Sequence, residues 1–181
     1  MRPGPDDLVV TRWGARFRGR IFPCSIGRAG LTAAKREGDM ATPFGVYRIT
    51  GGMYRADRIA PPPGAPLAPA GPRDIWSDDP RDPGYNRLSR NGAGRFGHER
   101  MRRADPLYDI VLFTDQNQPP VPGMGSAIFV HLWRGPRKPT AGCVAFRKRD
   151  LLWIWARWTA RSRVIIHGAA RSPKIAEPTR R

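Results

Sequence analysis

Residues 128–146, "IFVHLWRGPRKPTAGCVAF", combine the strongest strand signal of the chain with two reactive side chains. The run at 126–133 is dense in β-branched and aromatic residues, which predicts a strand. A second strand, "GCVAF", is predicted after a turn that contains two prolines. His131, one of three histidines, and Cys143, one of two cysteines, are separated by 12 positions across that turn. A hairpin-like turn would bring the histidine and the cysteine side by side.

The rest of the chain shows the same pattern of short strands. The segment 149–160, "RDLLWIWARWTA", predicts the one convincing helix, because its apolar residues recur at spacings of three and four. Those residues are Leu151, Leu152, Trp155, Trp158 and Thr159. The segment 61–72, "PPPGAPLAPAGP", predicts a surface loop, and 76–103 has no clean period. Further strands are predicted at Leu8–Thr11, 21–26, 42–50, 107–114 and 162–168.

Length and composition point to one domain that is mostly β. The chain has 181 residues, enough to bury a real core. Its 20 prolines and 20 glycines predict many turns and argue against a helical bundle. Many short strands and a single helix therefore favour a mostly-β architecture.

The formal charge of +17 predicts an anionic partner. Nucleic acid and an anionic cell-envelope polymer are the two candidates. The basic residues are nearly all arginines and are spread along the chain without a dense block. Specific binding of nucleic acid is therefore not expected.

Several classes are disfavoured by what the sequence lacks. No run of about 18 apolar residues is present, so no transmembrane segment is expected. The start, "MRPGPDDLVVTRWG", shows no signal-peptide pattern. The two cysteines, Cys24 and Cys143, predict neither a disulfide framework nor a CxxC metal site. No metal and no organic cofactor are expected.

The pair of Cys143 and His131 has a catalytic and a structural interpretation. A thiol becomes a good nucleophile when a neighbouring histidine takes its proton. Gly142 allows the backbone to approach a substrate carbonyl, and the amide of Cys143 with that of Gly142 or Ala141 would form an oxyanion hole. A lone cysteine in a strand is, however, often just a small buried hydrophobe. Spacing alone leaves both interpretations open.

The segment 125–146, "GSAIFVHLWRGPRKPTAGCVAF", resembles the signature of the YkuD-type L,D-transpeptidases. That signature is a histidine, a gap, then Ser or Thr, His, Gly, Cys and usually an apolar residue. The residues that match it are His131, Thr140, Gly142, Cys143 and Val144. Segments 27–50, 76–87 and 98–111 are similar to the short, stand-alone members of the family. The resemblance covers residues 7–168, and 169–181 is expected to be a disordered tail.

The resemblance implies a β-sandwich or half-open barrel with one main helix after the cysteine segment. It implies peptidoglycan stem peptides as substrates, a thioester on Cys143, His131 as the base, and a crosslink between stem peptides. Periplasm or cell envelope is then the expected location, and a monomer is expected. A crosslink from the first residue (L-Ala) to the third (diaminopimelate) is weakly favoured over one between third residues. The alternatives are a hydrolytic carboxypeptidase or amidase, and a non-catalytic basic binding module.

The chain departs from the common signature beside the cysteine. Ala141 replaces the motif histidine, the gap after His131 is shorter, and Ala145 stands where an arginine is common. His98 is a candidate for the missing imidazole, or else a surface histidine paired with Glu99. Other candidates to line the cleft are Tyr54, Trp76, Tyr85, Asn86, Tyr108, Ser126 and Thr140. His167 and Cys24 are expected to be structural, and the Pro-rich loop is either a lid or a passive surface loop.

Overall fold

The computed structural model describes residues 2–92 and 94–168, so the predicted tail at 169–181 lies outside the described residues. One α-helix, α1 (Lys148–Trp155), and a 3₁₀ turn, Pro106–Tyr108, occur in this part of the chain. No helix in it is long and apolar enough to cross a membrane. The strands are β1 (Leu8–Thr11), β2 (Gly14–Phe17), β3 (Arg20–Phe22), β4 (Cys24–Ser25), β5 (Leu31–Thr32), β6 (Thr42–Pro43), β7 (Gly45–Tyr47), β8 (Ile49–Tyr54), β9 (Ala68–Pro69), β10 (Ile75–Ser77), β11 (Leu88–Ser89), β12 (His98–Arg100), β13 (Ile110–Thr114), β14 (Phe129–Leu132), β15 (Val144–Phe146) and β16 (Val164–Ile166).

Two larger sheets form a sandwich, one of the two architectures that the family resemblance implies. One has the order β3-β2-β1-β16-β7 and the other the order β4-β15-β14-β13-β8-β9. Apolar side chains from both sheets share one core with α1, for example Val10, Phe146 and Leu151. A smaller sheet, β11-β10-β12, and the pair β5-β6 complete the fold.

The six-stranded sheet is covered on both faces, which explains why every residue of β13 is buried. Side chains alternate between the faces of a strand. Leu112 points into the main core, whereas its neighbours Val111 and Phe113 join a second apolar cluster with Trp76 and Tyr108. The second cluster includes Cys143, so the site lies on the face of the sheet that the small sheet covers.

The predicted hairpin between the histidine strand and the cysteine strand is wrong. β14 and β15 are neighbours but run parallel, with His131 opposite Ala145. Parallel strands require a crossover rather than a tight turn. The crossing segment is anchored midway, where Thr140 forms a bridge with Gly27 and its amide donates to the Ile26 carbonyl at 2.9 Å.

Two predicted single strands are divided because the chain changes sheets within them. Segment 21–26 splits at Pro23 into β3 and β4, which belong to opposite sheets. Proline cannot donate a ladder hydrogen bond, so the strand ends there. Segment 42–50 likewise splits into β6, β7 and β8. Segment 76–103, which shows no period, forms most of the small sheet, and the predicted helix ends at Trp155 rather than at residue 160.

The Pro-rich loop packs against α1. The indole Nε1 of Trp155 donates to the Ala65 carbonyl at 3.1 Å, and β9 pairs with β8 at the edge of the six-stranded sheet. Gly64 has φ +118°, and a Cβ there would lie 2.5 Å from the Trp155 carbonyl oxygen. The loop is therefore held on the surface of the helix by close backbone contact.

Candidate active site

Cys143 and His131 lie on the same face of the six-stranded sheet. Ala145 of β15 lies directly opposite His131 of β14. Cys143 lies two residues before Ala145, and residues two apart along a strand point to the same face of the sheet. The side chains of Cys143 and His131 therefore share a face. Cys143 is 7% exposed and His131 is 5% exposed. Both line one cavity of about 410 Å³. The structure therefore brings the predicted nucleophile and the predicted base to the same cavity.

The cysteine sulfur is held by backbone groups. The Phe129 amide donates to Sγ at 3.3 Å, and the thiol donates to the Ala127 carbonyl at 3.0 Å. Burial raises the pKa of the Cys143 thiol to about 12, and the charge of Glu99 acts in the same direction. The Phe129 amide and the positive charge of Lys35 oppose that rise. At neutral pH the resting residue is a protonated thiol.

The imidazole of His131 is neutral in the resting protein. Burial lowers the pKa of His131 to about 4, against a hydrogen bond to the Leu132 carbonyl and a backbone contact with Leu107. Nδ1 lies 2.7 Å from the Leu132 oxygen, and a carbonyl can only accept. Nδ1 therefore carries the proton of the neutral ring and Nε2 holds the lone pair, and the backbone of Leu107 is a second hydrogen-bonding neighbour of the ring.

Two threonines fix the backbone around the cysteine. Thr42, fully buried, donates through Oγ1 to the Gly142 carbonyl at 2.6 Å and accepts from the Gly27 amide at 2.8 Å. Thr140 donates through Oγ1 to the Cys143 carbonyl at 2.6 Å and accepts from the Gly142 amide at 3.2 Å. Since the Gly142 amide already has this partner, the amides of Ala141 and Cys143 stay the predicted oxyanion donors.

A buried cation lies behind Gly142. Lys35 donates through Nζ to Asp39 Oδ1 at 2.6 Å and to the Ala41 carbonyl at 2.9 Å. A Cβ at Gly142 would lie 3.0 Å from the Ala41 oxygen and 3.2 Å from Lys35 Nζ, so a glycine is needed there. Sequence reasoning missed Lys35 and Thr42 as site residues, although both lie in the motif-bearing segment 27–50.

The predicted lining residues divide into two groups. Tyr108, Thr140 and Ala141 line the cavity beside the cysteine and the histidine. The Tyr108 ring meets the His131 ring edge to face, with 5.2 Å between centroids. The others do not line the cavity: Tyr54, Trp76, Tyr85, Asn86 and Ser126. The indole of Trp76 packs on Phe113 and Phe129, each at 4.9 Å between centroids, so its role is in the apolar cluster under the site.

His98 is not placed as a replacement imidazole. It lies in β12 next to Glu99, and it is Glu99 that lines the cavity. The imidazole Nδ1 of His98 lies 2.8 Å from the Phe96 carbonyl. The alternative pairing of His98 with Glu99 is not formed among the described residues, where Glu99 Oε2 instead accepts a hydrogen bond from the Tyr108 hydroxyl.

The remaining thiol and histidine lie away from the cavity. Cys24 is buried in the main core, where burial raises the pKa of its thiol to about 12. His167 follows β16, with Nδ1 2.7 Å from the Gly168 carbonyl. The Pro-rich loop supplies no lining residue to this cavity. Sequence reasoning missed the charged lining residues Arg28, Glu99, Arg103 and Arg134. The first three lie in segments that meet the motif only in the fold, whereas Arg134 lies inside the motif segment and could have been found there.

Residues 8–166 match the family model of YkuD, the L,D-transpeptidase catalytic domain. The match covers most of the chain, so the protein belongs to the YkuD family of L,D-transpeptidase catalytic domains. No curated protein and no solved structure matched the chain.

Proposed function

We propose that this protein is a cysteine L,D-transpeptidase that forms peptidoglycan crosslinks through a thioester on Cys143. The observation that carries the proposal is the shared cavity, in which the thiol of Cys143 and the imidazole of His131 lie on one face of adjacent strands. Membership of the family supports the substrate class, stem peptides of the cell wall. The positive charge of the chain suits a carboxylate-rich polymer. We propose the cell envelope as the location, because the stem peptides are found there.

Acylation starts from a neutral thiol and a neutral imidazole. The thiol first turns from the Ala127 carbonyl, its resting acceptor, toward the histidine. As Sγ attacks the donor carbonyl, its proton passes to Nε2 of His131. The amides of Ala141 and Cys143 donate hydrogen bonds to the carbonyl oxygen and stabilise the negative charge that develops on it. The proton then moves from His131 to the departing amine, and the acyl group remains on sulfur.

Resolution of the thioester sets the reaction class. An amine of a second stem peptide gives a crosslink, whereas water gives a trimmed monomer and hence a hydrolase. His131 accepts the proton of the incoming group and returns it to sulfur. No metal or organic cofactor takes part in either half-reaction as we propose it.

Incubation with disaccharide tetrapeptides that contain meso-diaminopimelate tests the proposal. We expect peptide-linked dimers, detected by mass spectrometry, and none with Cys143→Ala. Trimmed monomers alone would assign a hydrolase, and no change in any substrate with retained binding would assign a binding module. Fragmentation of the dimers reports the linkage, and we propose a bond from the first residue of the donor to the third residue of the acceptor. The mass of the acyl group on Cys143 shows independently which carbonyl of the donor peptide was attacked, that of the first residue or that of the third.

A further inference from the structure

The cavity contains a carboxylate that thioester formation does not use. Glu99 is half-buried, and its Oε2 accepts a hydrogen bond from the Tyr108 hydroxyl. Its charge raises the pKa of the Cys143 thiol, so it opposes formation of the nucleophile. Burial in turn raises the pKa of Glu99 itself, which makes the carboxylate a better proton acceptor. Glu99 therefore does not assist the first half-reaction.

The same cavity is lined by three arginines. Arg103 is already paired with Asp105, at 2.7 Å between Nη2 and Oδ2. Arg28 and Arg134, in contrast, form no ion pair among the residues that the structure describes, although the charge of Arg134 helps to lower the pKa of Asp105. The space next to the thiol thus offers one carboxylate and two guanidinium groups that contact no carboxylate directly.

This set of charges complements an α-amino acid centre, which carries an ammonium and a carboxylate on one carbon. Guanidinium groups bind carboxylates with strong, charge-assisted hydrogen bonds. We propose that Glu99 binds the ammonium of the acceptor and removes one of its protons, while Arg28 and Arg134 bind the acceptor carboxylate. The inference rests on the proposed function, since it concerns the amine that resolves the Cys143 thioester.

Each proton and bond in this step is accounted for. The acceptor ammonium transfers one proton to Glu99 and becomes a neutral amine, whose lone pair attacks the thioester carbon. The new C–N bond forms as the C–S bond breaks. The second amine proton passes to His131 and from there to the thiolate of Cys143. Glu99 then releases its proton to solvent, and the cavity returns to its resting charge.

The test separates the two half-reactions by using Glu99→Gln, which keeps an oxygen for the Tyr108 hydroxyl. The enzyme is loaded with a diaminopimelate tetrapeptide, and the thioester is followed by intact mass. It is then resolved with glycine, with glycinamide, or with hydroxylamine, an amine that is largely unprotonated at neutral pH. Glu37→Gln is the matched control, since Glu37 also accepts from a tyrosine, Tyr85, at 2.5 Å but does not line the cavity.

We expect Glu99→Gln to form the thioester at or above the parent rate, because a charge that raises the pKa of Cys143 is removed. We expect the same variant to lose about a hundred-fold in the ratio of glycine to hydroxylamine rates. The double variant Arg28→Gln/Arg134→Gln is expected to lose about ten-fold in the ratio of glycine to glycinamide rates. Ratios are independent of how much of each variant is folded. An unchanged glycine-to-hydroxylamine ratio in Glu99→Gln, or a loss of thioester formation with the ratio intact, would overturn the inference alone. Absence of a thioester in the parent protein would overturn the proposed function with it.

Discussion

Cys143 and Cys24 have the same raised thiol pKa, about 12, for the same reason, which is burial. They differ in what surrounds them. Cys143 borders a cavity that also holds His131, whereas Cys24 packs within the main core and pairs with Phe146 across β4 and β15. Reactivity at this site therefore depends on access and on a proton acceptor rather than on a stable thiolate.

We expect Cys143→Ala to abolish thioester formation and crosslinking while the protein stays folded. Cys24→Ala is expected to retain activity and to lose about 1 kcal/mol of unfolding free energy, since a small buried side chain is removed from the core. Intact-mass analysis after exposure to a β-lactam acylating agent should add mass on Cys143 alone. An active Cys143→Ala protein beside an inactive Cys24→Ala protein would reverse the assignment.

The buried histidine predicts an unusual acid limb in the pH profile. Because the pKa of His131 is lowered to about 4, its imidazole stays neutral and able to accept a proton as the pH falls from 7 to 5. For a histidine with an ordinary pKa of about 6.5, the fraction in the neutral form would fall about 25-fold over this range. We expect the rate of thioester formation to change little between pH 7 and pH 5. The rate is measured from the intact mass of the protein in samples quenched at successive times. A midpoint near 6.5 would show that the base is a more exposed group than His131.

The site residues that could be predicted from the sequence are those that lie together in one continuous motif. Cys143, His131 and Thr140 belong to one continuous segment, and all three line the cavity. Glu99 and Arg28 belong to segments far from that motif in the chain, so only the fold reveals that they meet. His98 does not line the cavity, whereas its neighbour in β12, Glu99, does, as the alternation of side chains along a strand allows.

The Pro-rich loop and α1 act as one element, and Gly64 is where they touch. Gly64→Ala would combine an unfavourable positive φ with a Cβ placed 2.5 Å from the Trp155 carbonyl oxygen. Gly19 also has a positive φ, +75°, but nothing lies within 4 Å of its added Cβ. We expect Gly64→Ala to lower the free energy of unfolding by about 1–3 kcal/mol more than Gly19→Ala does, measured by urea denaturation. Equal losses would mean that the loop moves away from the helix at little cost.

Strand positions were predictable from composition, but strand boundaries were not. Leu8–Thr11 is β1 as predicted, because an unbroken apolar run lies between turns. Segment 21–26 also shows an apolar run, yet Pro23 marks the point where the chain leaves one sheet for the other. The parallel pairing of β14 and β15 had no local signal at all, because it depends on where the crossing segment is anchored, at Gly27.

Across the whole molecule, an ion pair ties the start of β1 to the start of β16. Arg163 donates to Asp7 at 2.9 and 2.6 Å, and Asp7 is 4% exposed. The hydrogen bond from Arg163 lowers the pKa of the Asp7 carboxyl. A lowered carboxyl pKa contributes stability that is present at neutral pH and is lost as the pH falls through the folded-state pKa.

We therefore expect Asp7→Asn to lower the free energy of unfolding by about 1–3 kcal/mol at pH 7, and by progressively less as the pH falls below the ordinary carboxyl pKa toward the lowered pKa of Asp7. Asp6→Asn is the control, since Asp6 pairs with Arg18 at the exposed surface. Exposed pairs contribute about 0–1 kcal/mol. Thermal denaturation of both variants at pH 7 and pH 3 measures the difference. A loss for Asp7→Asn that is equally large at both pH values would assign the effect to packing rather than to charge.

β16 occupies an inner position of the five-stranded sheet, between β1 and β7, although it is the last strand along the described chain. During synthesis, β1 and β7 therefore leave the ribosome long before β16 does. Until β16 has been synthesised, the strand position between β1 and β7 is empty. The core shared with α1 is completed only when Val164 and Ile166 arrive. Domains generally fold as units, so the thiol of a nascent chain meets its histidine in a finished cavity only after β16 has been synthesised.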